Sequence, residues 1–541
     1  MILSDPKSAT KPGLAGSSAD AQATLDDIFR LAAARRPDAI ALIDPPNRVS
    51  FTEGLPRRIS YAEADRMISA IASRLRRLGL DTDTVVGIQL PNTVEAVLTI
   101  LGVLRAGMIA APMPLLWRRA DATEALSRIG AKIIVTTSRV GDFDYFDLAM
   151  QVAVEIFPIR HICGFGPKVG DGIVTLDDLF ESEECEPLAF ELDGNPAAHV
   201  AIVTFDVTPN GLVAVARNHM ELIAGGLAAL LESKMKQDAA ILGCFALSSF
   251  SSLALTILPW LLTGGTLSLH HSFDPEAFAT QCQDDRCDTV VVPGPLVPRL
   301  LEAGLLAHAE LRNVLAVWRA PERLSISPDW LHAGARLIDV LVFGETALLG
   351  RHRAPDGRLA PLPAGQILAP GLSNRGVLVA EIARTEAGTV AIRGPMVPRH
   401  SFPPVAEDTD APQLRADADG FVDTGYSCRL DQAAGTFSVT GPPPGMVSIG
   451  GYRFVLSELE NLVGQVDAEA ALTALPDALA GHRLAGIAEN STHVRAALTV
   501  IGVNPLIADA FLERQRPKAA SSGRQDRQTW AAIDEPLIAI A

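Results

Sequence analysis

The sequence has few cysteines, and they follow no metal-binding or redox pattern. Six thiols in 541 residues form no CxxC pair, and they share no regular spacing with the histidines. We therefore expect buried or idle thiols in a reducing, cytoplasmic compartment, and no metal site. The six are Cys163, Cys185, Cys244, Cys282, Cys287 and Cys428.

We expect neither a leader peptide nor a membrane span, and the sequence has no surplus of positive charge. Residues 1–22 have no apolar core of the signal-peptide kind, so we predict a flexible tail there. The most apolar window, residues 241–265, contains serines and Pro259, which favours a buried helix and strand over a transmembrane segment. The 46 basic against 63 acidic residues give a net charge of -17, which argues against nucleic acid or anionic membranes as partners.

Helical and strand-like segments alternate through most of the chain. Residues 59–80 have apolar positions at a three-to-four spacing, TVVGIQL reads as a buried strand, and a second helix is predicted from a capping Asn92 to Gly107. Further strands are predicted at MIAAPMP, AKIIVTTS, TLSLHH, TVVVPG and RLIDVLVFG. This alternation predicts an α/β fold with layered, largely parallel sheets.

The pattern changes near residue 350 to shorter strands and turns, and a Pro-rich GPPPG stretch occupies residues 441–445. We predict a boundary there, because the last hundred or so residues are a plausible domain size. The predicted organisation is a tail at 1–22, a large domain at 23–440 with a small β-rich subdomain, and a small α+β domain at 441–541.

The run ISYAEADRMISAIASRLRRLGLDTDTVVGIQLPNTVEAVLTILGVLRAGMIAAPM resembles the adenylate-forming (AMP-binding) superfamily of acyl-CoA synthetases, luciferases and peptide-synthetase adenylation domains. TGGTLSLHHSFDPE, VFGETALLG, AIRGPMV, DGFVDTGYSCRLD and GGYRFVLSELENLV follow in the order of that family's landmarks. The likeness extends roughly over residues 24–527. It implies the adenylate-forming ligase fold and activation of a carboxylic acid with ATP, followed by transfer to a thiol such as coenzyme A. Fold alone does not establish that activity.

The family's phosphate loop resembles TSGTTGxPKG, and here the aligned stretch is TFDVTPNGLVA before His219. Asp206 would repel a triphosphate, and Pro209 removes a backbone donor. Thr208 and Gly211 are the residues that could still contact phosphate. Without the resemblance, the stretch predicts a strand-turn-strand hairpin.

The adenine wall of the family is a glycine-rich turn, and Trp318 and Arg319 take the glycine positions here. Two readings stay open, since these side chains could fill the pocket or stack on a planar ligand.

The magnesium-binding YGxTE turn reads FGETA in this sequence. Gly344 and Thr346 match, but the carboxylate position holds Ala347, and hard cations need oxygen ligands. Glu345 is the candidate that could replace the missing carboxylate, in a catalytic role.

Four further family landmarks are altered. Tyr426 takes the place of the aspartate that grips the ribose, and a phenol cannot supply two carboxylate oxygens. The prolines of GPPPG stiffen the hinge that, in the family, lets the small C-terminal domain rotate. The catalytic lysine position falls near Arg524, with Lys518 as the alternative. The family often has an aromatic or histidine gate to the acyl pocket. Ser249 takes the histidine position here, with Phe250 beside it, and these two residues are the acyl-pocket candidates.

Two hypotheses follow from these departures. The first is a homologue with lost or impaired adenylation that binds an acyl group, an acyl-CoA or a protein partner, with no assigned cofactor. The second is an active acid–thiol ligase with rebuilt contacts to ATP and Mg²⁺. A third, weaker hypothesis is an enzyme that acts on an acyl thioester without ATP. The sequence contains no GxSxG, HExxH or strand-borne GxGxxG that would support other chemistry.

Overall fold

The computed structural model describes residues 23–167, 169–180, 194–326, 330, 334–354, 356–370, 376–403 and 411–512. In residues 23–180, helices and strands alternate as the sequence predicts. They are α1 (Leu25–Arg35), β1 (Ile40–Ile43), β2 (Arg58–Ser60), α2 (Tyr61–Arg77), β3 (Val85–Gln89), α3 (Val94–Arg105), β4 (Ile109–Pro112), α4 (Arg119–Arg128), β5 (Ile133–Thr137), β6 (Arg139–Val140), β7 (Phe143–Asp144), α5 (Tyr145–Glu155), β8 (His161–Phe165) and β9 (Ile173–Thr175).

The middle of the chain opens with a hairpin and continues as a second alternating series. Its elements are β10 (Val200–Thr208), β11 (Gly211–Asn218), α6 (His219–Ser233), β12 (Ala240–Gly243), α7 (Phe250–Leu255), α8 (Ile257–Thr263), β13 (Thr266–Leu269), α9 (Pro275–Asp284), β14 (Thr289–Pro293), α10 (Val297–Glu302), β15 (Asn313–Trp318), β16 (Arg336–Phe343) and β17 (Ala347–His352).

The last part begins with short antiparallel strands, as the change of pattern near residue 350 predicts. Its elements are β18 (Leu362–Pro363), β19 (Gly365–Ala369), β20 (Val377–Arg384), β21 (Thr389–Arg393), β22 (Val422–Asp431), β23 (Thr436–Gly441), β24 (Met446–Ile449), β25 (Tyr452–Val455), α11 (Leu456–Val466), β26 (Ala471–Asp477), β27 (Gly481–Ile487), α12 (Ser491–Ile501) and α13 (Pro505–Ala508).

Two mostly parallel sheets form the larger part of the described chain. One has the order β11-β10-β4-β3-β5-β8-β9, and the other has the order β17-β16-β15-β14-β12-β13-β1-β2. Strands β18 to β23 form an antiparallel sheet, and β24 to β27 form a four-stranded sheet near the C-terminus. The predicted α/β class with layered sheets is confirmed. The domain boundary at residue 441 stays a prediction, and residues 446–512 are called the C-terminal region below.

Local sequence explains the start of α2 but not the start of α3. Ser60 accepts a hydrogen bond from the backbone N–H of Glu63, whose carboxylate accepts one from the backbone N–H of Ser60, which is a capping box. Helix α3 begins after Thr93 and has no side-chain cap. The predicted capping role of Asn92 is therefore wrong. Its side-chain amide instead donates to the backbone carbonyls of Gly243 and His270, at 3.1 and 2.9 Å.

The apolar window at 241–265 is a buried strand followed by α7 and α8, as predicted. In the described residues, no helix combines the length and apolar character needed to cross a bilayer. The five cysteines among the described residues are free and buried. Cys185 lies outside the described residues.

Hydrogen bonds from the large part of the protein hold the C-terminal region by its main chain. Nη2 of Arg119 donates to the carbonyls of Val500 and Ile501, both at 3.1 Å. Nη2 of Arg323 donates to the carbonyls of Asp477 and Ala478, at 3.0 and 2.8 Å. These contacts attach the C-terminal region to segments that connect strands of the two mostly parallel sheets.

Three aromatic rings from distant segments meet in the core. Phe29, Tyr61 and Trp260 have centroids 5.8 to 6.0 Å apart, and none of them is exposed. The hydroxyl of Tyr61 and the indole N–H of Trp260 both donate to the carbonyl of Gly265, at 2.8 and 3.2 Å. The cluster therefore joins α1, α2 and α8 without leaving these polar atoms unsatisfied.

We predict that Trp260→Ala lowers the free energy of unfolding by about 3–5 kcal/mol, because it leaves a large cavity. The matched control is Phe157→Ala, since that ring is 84% exposed and its loss should change stability by about 0.5 kcal/mol or less. Chemical denaturation measures both variants. Equal effects of the two substitutions would contradict the prediction.

Candidate functional site

The stretch that aligns with the phosphate loop is a tight antiparallel hairpin. Strands β10 and β11 pair from Val200 opposite Asn218 to Thr208 opposite Gly211. The Thr208 hydroxyl donates to the carbonyl of Gly211 at 3.0 Å, and Gly211 has a φ of +104° that favours glycine. Thr208 and Gly211, the two predicted phosphate contacts, therefore close the turn of the hairpin.

The Asp206 carboxylate, on this hairpin, is held by two donors from remote segments. Its Oδ2 accepts the backbone N–H of Glu345 at 2.8 Å, and its Oδ1 accepts Nη1 of Arg453 at 2.5 Å. Both charged side chains are about nine-tenths buried. Burial opposes the charged form of Arg453, but the Asp206 carboxylate keeps the Arg453 pKa above its ordinary value. The negative charge of Asp206 is thus balanced within the protein.

Gly344 makes this arrangement possible. Its φ is +54°, and a Cβ at this position would collide with the Asp206 carboxylate and with Nη1 of Arg453. The sequence match at Gly344 therefore has a steric cause in this protein: the turn must pass close to an ion pair.

Glu345 is buried and binds protein groups on both sides of the turn. Its Oε2 accepts the backbone N–H of Phe250 at 2.7 Å, at the start of α7. The Arg217 guanidinium donates to the carbonyls of Glu345 and Thr346 and lies 3.7 Å above the Phe250 ring. Burial raises the pKa of Glu345 to about 7, although Arg217 opposes the shift. Burial also lowers the pKa of Arg217 to about 10.

A cavity of about 540 Å³ lies beside these groups, between the large part of the protein and the C-terminal region. Its volume is within the range of small-molecule sites. Its polar lining includes Ser248, Ser249, Ser251, His271 and the charged residues Arg319, Arg453, Asp121, Glu124, Asp206, Glu345 and Glu458. Its apolar lining includes Leu115, Trp117, Phe205, Leu212, Phe454, Leu459, Leu462, Ile501, Val503 and Ile507. Burial lowers the pKa of His271 to about 3, so this imidazole is neutral at physiological pH.

The structure separates the two residues predicted at the adenine wall. Trp318 turns away from the cavity, because its indole N–H donates to Asp339 at 3.0 Å and its ring lies against Gly294. Arg319 lines the cavity and donates from Nη2 to the Ser249 hydroxyl at 3.2 Å. Of the two predicted side chains, only Arg319 reaches the cavity.

The acyl-pocket candidates also differ in position. Ser249 lines the cavity and caps α7, accepting the backbone N–H of Ser252. Phe250 is 1% exposed and packs closely on Gly225 and beneath Arg217. Only Ser249 can therefore contact a molecule in the cavity.

Tyr426, at the position of the ribose-binding aspartate, is buried against another ring. It packs edge-on against Phe343 with centroids 5.6 Å apart, and the Arg453 guanidinium lies 5.7 Å from its ring. Burial raises its pKa to about 12. In the GPPPG stretch, Met446 N–H donates to the Pro443 carbonyl at 3.1 Å, which forms a turn. Arg524 and Lys518 lie outside the described residues.

Sequence reasoning missed Arg217 and Arg453 as members of this site. Arg453 occurs in GGYRFVLSELENLV, which served only as a landmark, and 247 positions separate it from Asp206. One available signal was Asp206 itself, since a carboxylate in an apolar strand needs a partner. No pattern in the sequence indicates which arginine that partner is.

Residues 29–205 match the sequence profile of the family described as AMP-binding enzyme. A 2-hydroxy-7-methoxy-5-methyl-1-naphthoate–CoA ligase of Streptomyces carzinostaticus is 28% identical over 477 residues, which cover 84% of this chain and 81% of that protein. A medium-chain fatty-acid–CoA ligase of Escherichia coli K12 is 22% identical, over 85% of the chain and 80% of the relative. The family match and these relatives together support an adenylate-forming, acyl-CoA ligase-like superfamily.

Solved structures support the fold of this adenylate-forming protein. The amide bond synthetase McbA from Marinactinospora thermotolerans superposes with a TM-score of 0.65 at 16% identity, covering 90% of this chain and 94% of that one. The predicted adenylate-forming ligase fold is confirmed.

Removing one partner of the Asp206–Arg453 pair should be costly. We expect Arg453→Met to lower the free energy of unfolding by about 3–5 kcal/mol, since it leaves a buried carboxylate without its counter-ion. The double variant Asp206→Asn, Arg453→Met should recover part of this loss. Chemical denaturation of both variants tests the pair, and a double variant less stable than Arg453→Met would contradict it.

Glu345 should make stability depend on pH. Its folded-state pKa is raised from 4.5 to about 7, so its contribution to stability is present at low pH and is lost as pH rises through that window. The stability advantage of the wild type over Glu345→Gln should therefore be smaller at about pH 8 than at about pH 5. Denaturation of both proteins at both pH values measures this difference. An advantage that is constant or grows with pH would contradict the raised pKa.

Proposed function

We propose that this adenylate-forming superfamily protein binds an acyl ligand in the cavity and does not adenylate it. The observation that carries the proposal is the Asp206 carboxylate on the hairpin that aligns with the phosphate loop. This carboxylate already accepts hydrogen bonds from the Glu345 N–H and the Arg453 guanidinium. A triphosphate at the same place would meet a carboxylate, and these donors would already be engaged.

The residues that would hold magnesium do not fit the ion. Ala347 has no ligand atom, and one carboxylate oxygen of Glu345 already accepts the N–H of Phe250. Burial raises the pKa of Glu345 to about 7, so a share of this group is neutral at physiological pH. Mg²⁺ prefers charged oxygen ligands, and the neighbouring Asp206 carboxylate already accepts the Glu345 N–H and the Arg453 guanidinium.

The attachment of the C-terminal region also supports binding rather than a two-step reaction. The family's reaction, as the resemblance implies it, requires the small domain to rotate between two poses. Here the Asp206–Arg453 pair and the arginine contacts to main-chain carbonyls hold one pose. The turn formed by the prolines of GPPPG restricts the link between β23 and β24. A C-terminal region held in one pose favours the binding of a ligand over a reaction that needs two poses.

The proposal predicts that an acyl-CoA or a fatty acid raises the thermal midpoint of the wild type, whereas ATP with Mg²⁺ does not. A ligand at about a hundred times its dissociation constant should add about 2.7 kcal/mol of stability. Val207→Trp should reduce the shift, because Val207 lines the cavity and the larger ring would occupy part of its volume. Thermal unfolding with each ligand and isothermal titration provide the measurements.

The matched control is Val500→Trp, because Val500 is 77% exposed and does not line the cavity. This variant should keep the shift. Stabilisation by ATP and Mg²⁺, accompanied by pyrophosphate exchange with any acid, would overturn the proposal and favour an active acid–thiol ligase with rebuilt nucleotide contacts.

A further inference from the structure

Strand β26 forms the outer edge of the four-stranded sheet in the C-terminal region. Among the strands of the described chain it pairs with β27 alone, so the backbone N–H and C=O groups on its other side meet no partner strand. Its sequence, ALTALPD, carries one charge, at Asp477. An exposed edge without charged side chains pairs readily with another segment, and natural proteins therefore cover or charge such edges.

The outer face of β26 and β27 is apolar and exposed. Leu472 is buried among residues of α11 and α12, and side chains alternate along a strand, so Ala471 and Leu475 lie on the opposite face. Ala471 lies opposite Ile487 in the antiparallel register. Leu475 is 36% exposed and Ile487 is 75% exposed. The edge strand therefore adjoins an uncovered apolar strip.

Arg483 adds a positive charge to this face. It lies opposite Leu475 in the register of β26 and β27, and it forms no ion pair within 4.0 Å with any described residue. An acidic group beside the apolar strip therefore has a guanidinium with which to pair. The face combines a strand edge, an apolar strip and an unmatched cation.

The described chain ends beside this sheet. Phe511 packs on β27, since a Cβ at Gly486 would lie 2.5 Å from its ring, and Leu512 is the last described residue. Residues 513–528 follow and include seven charged side chains, and an extended chain of that length reaches about 50 Å. The residues after 528 can therefore reach any part of β26.

Residues 529–541, TWAAIDEPLIAIA, are called the terminal segment below. Nine of these residues are apolar, and Asp534 and Glu535 are its charged side chains. Ile538 and Ile540 are two positions apart, which is the spacing that places side chains on one face of a strand. A segment of this composition is stabilised when a surface removes it from water.

We propose that the terminal segment of the same chain binds along the edge of β26 and over the outer face that β26 shares with β27. Its apolar residues cover Leu475 and Ile487, its acidic pair meets Arg483, and its main chain pairs with the edge of β26. Residues 513–528, which include Lys518 and Arg524, are then anchored at both ends on the C-terminal region.

The exposed apolar residues at α5 offer less to such a segment. Val154 and Phe157 are 85% and 84% exposed, on the helix and just after it. Backbone groups within a helix are paired along the helix, so this surface provides no edge for main-chain hydrogen bonds. The edge of β26 provides one, on the region from which the terminal segment departs.

Hydrogen exchange of the full chain and of a chain ending at Gln528 tests this placement. Residues 471–477 should exchange more slowly in the full chain, by about tenfold, because an added strand protects the edge. Exchange in α5 is the internal control and should be the same in both proteins. Equal exchange of residues 471–477 in the two proteins would overturn the proposal.

Light scattering separates binding within one chain from binding to a second copy. The full chain and the shortened chain should have the same oligomeric state. Dimers of the full chain that disappear on shortening would assign the terminal segment to a second copy and overturn the intramolecular contact.

Substitutions in the full chain locate the contact. Leu475→Lys should speed amide exchange of the terminal segment by about tenfold, because it places a charge in the apolar strip. Thr473→Lys, at an exposed position on the same face, should act alike. The matched control Val154→Lys should leave the exchange unchanged. Faster exchange in Val154→Lys, with no effect of Leu475→Lys, would place the terminal segment on α5 and contradict the proposal.

Charge reversal tests the role of Arg483. Arg483→Glu should speed exchange of the terminal segment a few-fold, as expected for an ion pair at the surface. Adding Asp534→Lys and Glu535→Lys to this variant should restore slower exchange. A triple variant that exchanges faster than Arg483→Glu would show that the acidic pair does not meet Arg483.

Discussion

The Asp206 carboxylate joins three segments that are far apart in sequence. It lies on the hairpin, accepts the N–H of Glu345 from the turn after β16, and pairs with Arg453 on β25. Gly344 gives the turn the close approach that this geometry needs. The position of Glu345, the start of α7 and the attachment of the C-terminal region all depend on this one buried anion. The cavity is shaped by the same set of contacts.

Charge placement distinguishes this site from one built for a nucleotide. A nucleotide site offers unused donors to a bound polyanion. In this protein, the Glu345 N–H and the Arg453 guanidinium are engaged by an internal carboxylate. Fewer donors therefore remain at this hairpin for a chain of phosphates.

The sequence predicted the fold more completely than the site. Apolar periodicity and caps such as Ser60 are local, so helices and strands in the first half could be read directly. The direction of a side chain, by contrast, depends on packing partners that are distant in sequence. Trp318 and Arg319 are neighbours, yet one packs on Gly294 and the other faces the cavity. Asn92 matched a helix cap by residue type, but two carbonyls in the core bind it instead.

The contacts made by Arg119 and Arg323 have a consequence for sequence change in the C-terminal region. Both arginines donate to main-chain oxygens, which every residue type carries. Substitutions at Val500 or Ala478, which are exposed, can therefore alter the outer surface while these main-chain contacts are preserved. The C-terminal region can diversify on its exposed side, because two of the side chains that hold it, Arg119 and Arg323, lie outside it.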